Sequence, residues 1–281
     1  MRKIILQPVD EHNYIPSINW FKREEGISHE VICFKNSKVM FPNFDNVICL
    51  NESIILNAAN NDEINNKQFL LEKFQSENEL NFPPVDPNII GHVYQHTFSN
   101  LTREMLEGNV FFKPMKEDYL SVNKNMPEGK IVCVNGRNKI QHKFRNNLLI
   151  NEILFLLKNG VTVFNTTIPQ PNLQINHPNY FEVGNECIDY SINVSYFVNA
   201  DAVLSVANAG AITNHISTQA NLILIGAGGW VDNPQFGYEG ESLFSAKQKM
   251  QGAAVFVRNN LELIDAVNNF SRKKEIIFYN L

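Results

Sequence analysis

Between residues 135 and 145 an otherwise acidic chain gathers Arg137, Lys139, His142, Lys143 and Arg145. The run Asn135-Gly136-Arg137-Asn138-Lys139 follows a short apolar strand candidate, 130–134, and precedes a helical pattern. Positive charge at a helix start opposes the helix dipole, so the run is mildly unfavourable as pure structure. Its chemical use is clear. Clustered cations of this kind can bind an anion such as a phosphate group. The arginine fork binds such oxygens in pairs. Arg137 and Lys143 are the first candidates for that role, with Asn135, Gly136 and Arg145 binding around it. The alternative is a solvated basic helix start.

Three other segments carry chemistry. Asn208-Ala209-Gly210-Ala211-Ile212-Thr213-Asn214-His215 stands where a strand turns into a helix. Free N–H groups at a helix start attract anions, and small residues let a diphosphate approach the backbone. A tight turn that binds nothing is the plain alternative. Gln7 to Asn13 follows the first strand and holds Asp10, Glu11 and His12. Any of these can take a proton from a hydroxyl, and a polar loop is the alternative. Gly226-Ala227-Gly228-Gly229-Trp230 is followed by Glu239 and Glu241. Gly228 lets a base or ribose sit close to the chain, Trp230 can stack on it, and Glu239 can accept from ribose hydroxyls. A flexible connection is equally compatible. The glycines lack the full dinucleotide fingerprint.

The elements that must position these segments are legible as alternating patterns. Strands are expected at 3–6, 29–34, 46–50, 88–92, 130–134, 161–164, 180–183, 201–206, 221–225 and 253–257. Helices are expected at 57–75, 101–107, 144–158, 188–199, 211–220 and 260–270, from apolar spacing. Strands alternating with helices imply βαβ units and parallel sheets. The strands are short and continuously apolar, as when helices cover both faces. Ligands in such sheets bind beyond the carboxyl ends of the strands. That rule selects the loops after residues 6, 134, 206 and 225. The polar, proline-containing stretch 113–130 suggests a boundary, giving an N-terminal α/β domain at 1–127 and a second α/β domain at 128–281.

With those residues in place, a resemblance emerges. Asp201 to His215 (DAVLSVANAGAITNH) and Asn221 to Gly226 (NLILIG) look like the donor-binding region of GT-B glycosyltransferases. The heptosyltransferase-like and surface-polysaccharide transferases are the nearest in pattern. Asn208 stands where that family usually has Asp, and His215 lies two residues further from the glycine than in the common spacing. The resemblance implies two Rossmann-like domains with parallel sheets. It implies a nucleotide-diphosphate sugar as donor substrate, no cofactor and no metal. Its donor contacts carry over to Asn208, Ala209, Gly210, Ala211, Asn214 and His215. It favours an acidic base after the first strand, hence Asp10, with His12 second. The acceptor would be a glycan or a lipid-linked precursor in surface polysaccharide synthesis. Two alternatives remain: a non-catalytic nucleotide- or glycan-binding protein on the same fold, and a nucleotide-sugar epimerase.

Composition narrows the classes further. The 281 residues are 44% hydrophobic and 19% charged, which excludes a disordered chain. A net charge of −5 argues against a nucleic-acid protein led by a basic field. Asparagine supplies 40 residues, so a single asparagine, or a tripeptide such as Asn165-Thr166-Thr167, carries little weight. Cys33, Cys49, Cys133 and Cys187 show no metal-ligand spacing and read as free thiols. His92 and His96 are four apart but do not read as a metal pair. With no signal-peptide or membrane-span pattern, a cytoplasmic location is expected. Phe111, Phe112, Lys113 and Lys116 form either a buried turn or a peripheral membrane contact.

Overall fold

The strand Ile131–Asn135 is buried at every position, and so is Thr162–Asn165. A strand can be apolar on both sides only if both faces of its sheet are covered. The computed structural model shows that cover. It describes residues 2–5, 29–34, 46–50, 99, 101–108, 112–135, 149–167, 174–188, 190–206, 216, 218–226, 231–250 and 252–278.

The chain divides into two units, Met1–Thr97 and Phe98–Leu281. In the first, β1 (Arg2–Ile5), β2 (His29–Phe34) and β3 (Asn46–Leu50) form a parallel sheet in that order. Arg2 pairs with His29 and Ile5 with Ile32, while Glu30 pairs with Asn46 and Phe34 with Leu50. The expected helix 57–75 and strand 88–92 lie outside the described residues.

The second unit carries β4 (Ile131–Asn135), β5 (Thr162–Asn165), β6 (Tyr180–Glu182), β7 (Ala202–Val206), β8 (Leu222–Ile225) and β9 (Ala254–Val257). They form one parallel sheet in the order β6-β5-β4-β7-β8-β9. Counted from β4, that is 3-2-1-4-5-6, the order of doubly wound Rossmann-type sheets. Described helices are α1 (Lys116–Lys124), α2 (Ile150–Lys158), α3 (Tyr190–Asn199), α4 (Leu243–Lys249) and α5 (Asn260–Asn269). Residues 101–106 are also helical.

Alternation along β4 sorts the two faces. Val132 and Val134 join a core cluster with Ile153 and Leu156 of α2 and Leu263 and Val267 of α5. Cys133 points the other way and its thiol meets the Tyr196 carbonyl of α3 at 3.3 Å. Burial and the neighbouring Cys187 push the Cys133 thiol pKa up, so it stays protonated. Each fully buried Leu or Val contributes about 1.5–3 kcal/mol, so this double cover is the main source of stability.

The break in contacts falls at 97/98, and the polar stretch 113–130 follows it. That stretch contains α1, which packs on α3. The Met115 N–H donates to Ser191 Oγ at 2.9 Å, Ser191 Oγ donates to Asp118, and Asn199 reaches the Tyr119 carbonyl at 3.3 Å. Phe112 is 5% exposed, a buried position. Residues 218–220 are bends, not the end of a helix: Thr218 Oγ1 accepts from the Ala220 N–H at 3.3 Å and turns the chain into β8.

At the amino edge the C-terminal segment is held by Asp201. Its carboxylate, 8% exposed, accepts from the buried Ile131 N–H at 2.8 Å and pairs with Arg272 at 3.6 Å and Lys130 at 3.7 Å. Arg272 also donates to the Gly129 carbonyl at 2.6 Å, and Asn221 donates to the Asp201 and Ser271 carbonyls at 2.8 Å each.

Candidate functional site

The strand order reverses direction between β4 and β7. In open parallel sheets such a reversal leaves a crevice at the carboxyl ends of the two strands, because their connections leave toward opposite faces. Asn135 ends β4, and Ser205, its register partner, stands next to last in β7. Asn135 is 3% exposed and Ser205 fully buried, with the Ser205 hydroxyl donating to the Asn135 carbonyl at 3.3 Å. The ends of β4 and β7 are therefore neighbours, and residues 136–145 and 208–215, which follow them in sequence, lie outside the described residues.

Of the site residues expected from sequence, Asn135 and Glu239 are described. Asp10, His12, Gly136, Arg137, Lys143, Arg145, Asn208, Ala209, Gly210, Ala211, Asn214, His215 and Gly228 lie outside the described residues. So do Glu11 and Trp230.

Beside the crevice, the ends of β5 and β6 carry a polar network that the sequence reading passed over. Asn165 and Glu182 are register partners. The Asn165 amide donates to the Tyr180 phenol oxygen at 3.1 Å and reaches the Glu182 carboxylate at 3.5 Å. The Tyr180 phenol donates to the same carboxylate oxygen at 2.5 Å. Burial, and then the bond to Glu182, push the phenol pKa well above its usual value. Asn165 Oδ1 in turn accepts from the Thr167 N–H at 3.1 Å, and Thr166 Oγ1 donates to the Val134 carbonyl at 3.1 Å. Glu182 is exposed. An exposed carboxylate aimed by two buried donors is suited to accept hydroxyl hydrogen bonds. The available signal was a polar run, Asn165-Thr166-Thr167, directly after an apolar strand.

On the other side, β8 is followed by Gly226, whose φ of +105° suits glycine. Residues 231–242 then form a tight structure. The Asn233 side chain accepts from the Gln235 N–H at 3.0 Å, and Tyr238 and Glu241 exchange backbone bonds of 3.0 Å. Glu239, at the turn between them, is the one described non-glycine residue with positive φ, +52°. Such backbone strain persists only where neighbours enforce it. Glu239 is exposed, and its carboxylate hydrogen-bonds the Tyr238 phenol, raising that phenol's pKa. The Arg103 guanidinium lies 5.6 Å from the Tyr238 ring centre, a cation–π arrangement. Glu241 is held by Lys249 and Ser245, each at 2.7 Å, which lowers its pKa.

Gly237 is the tightest point of this turn. A Cβ there would lie 1.7 Å from the Glu241 carbonyl oxygen. That contact is with backbone, so the turn itself must shift. Gly237→Ala is expected to cost about 1–3 kcal/mol, the usual range for overpacking. A thermal melt reads it; an unchanged midpoint contradicts this geometry.

No helix among the described residues is long and apolar enough to cross a membrane. No protein-family model matches the chain, and no curated protein matches it. Among solved structures, it is similar to a glycosyl transferase family 9 protein from Veillonella parvula, with a TM-score of 0.45 and 10% identity, over 96% of this chain and 91% of that one. It is also similar to the spinosyn forosaminyltransferase SpnP, with a TM-score of 0.42 and 10% identity over the same shares.

Proposed function

We propose that this chain is a glycosyltransferase that moves a sugar from a nucleotide-diphosphate donor to a glycan or lipid-linked acceptor in surface polysaccharide synthesis. One observation supports it most. The 3-2-1-4-5-6 strand order makes the ends of β4 and β7 neighbours at the topological switch point, and in the sequence the basic residues 136–145 follow one and the glycine-containing residues 208–215 the other. The likeness of 201–226 to a donor-binding region adds to this.

In this reading the 208–215 segment and Arg137, Lys143 and Arg145 receive the diphosphate. Glu182, aimed by Tyr180 and Asn165, and the strained Glu239 accept from hydroxyls of the ribose or the sugar. Asp10, with His12 as second choice, takes the acceptor proton. The acceptor oxygen then attacks the anomeric carbon, the bond to the diphosphate breaks, and the charge left on the diphosphate meets the cations. The step is metal-independent and needs no cofactor. The setting is cytoplasmic.

Thermal shift against ADP, GDP, UDP and CDP, and then their sugars, tests this. A ligand at about 100 times its dissociation constant adds about 2.7 kcal/mol, or roughly 5–10 °C for a unit of this size. One responding nucleotide is the expected result, followed by transfer to an added glycan acceptor. A shift without transfer or hydrolysis supports a binding protein on the same fold. Conversion of the donor sugar without an acceptor supports an epimerase. No shift with any nucleotide overturns the donor site.

A further inference from the structure

The side chain of Lys247, on α4, has no exposed surface. Its amine donates to the Thr218 carbonyl. The other charged group acting on it is Lys273 of the C-terminal segment, a like charge that is itself half-buried. No carboxylate among the described residues pairs with it. Segment 218–221 and strand β9, against which α4 packs, hold no ionisable side chain. Glu241, in the turn before α4, is taken by Lys249 and Ser245 on α4 itself. An ammonium has three donors and here finds one acceptor beside another cation. A neutral amine fits this site far better than a charged one, because a buried unpaired charge is strongly penalised. Burial first, and Lys273 second, hold the amine's pKa down to about 7.

What α4 holds makes this more than a local cost. Ser242 caps α4, accepting from the Ser245 N–H at 3.0 Å, and the Phe244 N–H donates to the Val231 carbonyl at 3.0 Å. The turn 231–242 is thus anchored by the same short helix. We propose that Lys247 is a proton-sensitive latch: uncharged, it lets α4 seat against segment 218–220, and on taking up a proton it unseats α4 and the 231–242 turn together. The latch is independent of which ligand the protein binds.

The sign follows from linkage. In the open state the amine has its ordinary value near 10.5, and in the seated state about 7. Between these the open state holds more protons, so seating strengthens as pH rises, and the opening constant falls by up to about tenfold per pH unit. Below about pH 7 both states are protonated and the penalty is constant. Tyr180 and Tyr196, whose pKa values are raised, act only above the ordinary phenol range and with opposite sign. Measurement from pH 6 to 9.5 avoids them.

Hydrogen exchange of the full chain, corrected for intrinsic rates, reads the opening of 243–249 against the sheet peptide 222–225. The expected result is an opening constant for 243–249 that falls about a hundredfold between pH 7.5 and 9.5, with a much smaller change at 222–225. In Lys247→Met that dependence disappears and 243–249 is more protected at pH 7. Equal pH responses in the two proteins, or exchange of 243–249 that tracks 222–225 at every pH, overturn the latch. If Lys247→Met does not fold, lysine ε-methylene NMR of the natural chain decides. One resonance titrating near pH 7 supports the latch, and all titrating above about pH 10 overturn it.

Discussion

Asp201→Ala is expected to lower the stability of the second unit by about 1–3 kcal/mol, mainly the cost of a buried donor left without its acceptor, since the two cations it faces are one-third exposed. The carboxylate serves three groups at once. It satisfies the N–H of Ile131, a residue with no exposed surface, and it faces Arg272 and Lys130. Alanine leaves a buried donor unpaired, which alone costs about 1–3 kcal/mol. It also removes the carboxylate that Arg272 and Lys130 share, while Arg272 keeps its bond to the Gly129 carbonyl. Asp201→Asn keeps an acceptor for the Ile131 N–H and removes only the charge. It should therefore recover part of the loss. In thermal melts, where roughly 2–4 °C corresponds to 1 kcal/mol at this size, the alanine variant should melt lowest and the asparagine variant between it and the natural chain. Equal melting of all three would mean that the clamp contributes nothing.

If the proposed transfer reaction holds, Arg137→Ala is expected to lower its rate by about 10²–10³, or about 2.7–4 kcal/mol of transition-state stabilisation. Charge on the diphosphate grows only as the sugar–phosphate bond breaks, so the loss should fall on kcat and leave the donor KM much less affected. Arg137→Lys tests the fork: lysine supplies charge without paired donors and should restore only part of the rate. Steady-state kinetics with the nucleotide sugar identified by thermal shift separates the cases. An unchanged kcat in Arg137→Ala removes this residue from the reaction. A raised KM with unchanged kcat makes it a binding residue only.

Several of the elements in these predictions were legible in sequence because burial on both sheet faces leaves an unbroken apolar run. His29–Phe34 and Asn46–Leu50 form at the expected residues, and the six strands of the second unit lie within a residue or so of expectation. Two helices left no such signal. Lys116–Lys124 buries one residue, Val122, so it shows no apolar stripe. Leu243–Lys249 is two turns long, and one of its buried side chains is Lys247, a residue whose type argues for solvent.

The residue chemistry was determined by the sequence alone: a cationic run after one strand, a glycine-containing run after another, and carboxylates after the first strand and after Gly226. Which strands are neighbours was not, because runs such as IVCV and AVLS are interchangeable as buried strands and pairing is set by the packing of the helices between them. Only the tertiary structure put β4 beside β7. Only the register of β5 on β6 brought Asn165 to Tyr180 and Glu182, and only the folded C-terminal segment brought Arg272 to Asp201. Local spacing dictates local structure, while long-range contacts depend on a core that no short window of sequence contains.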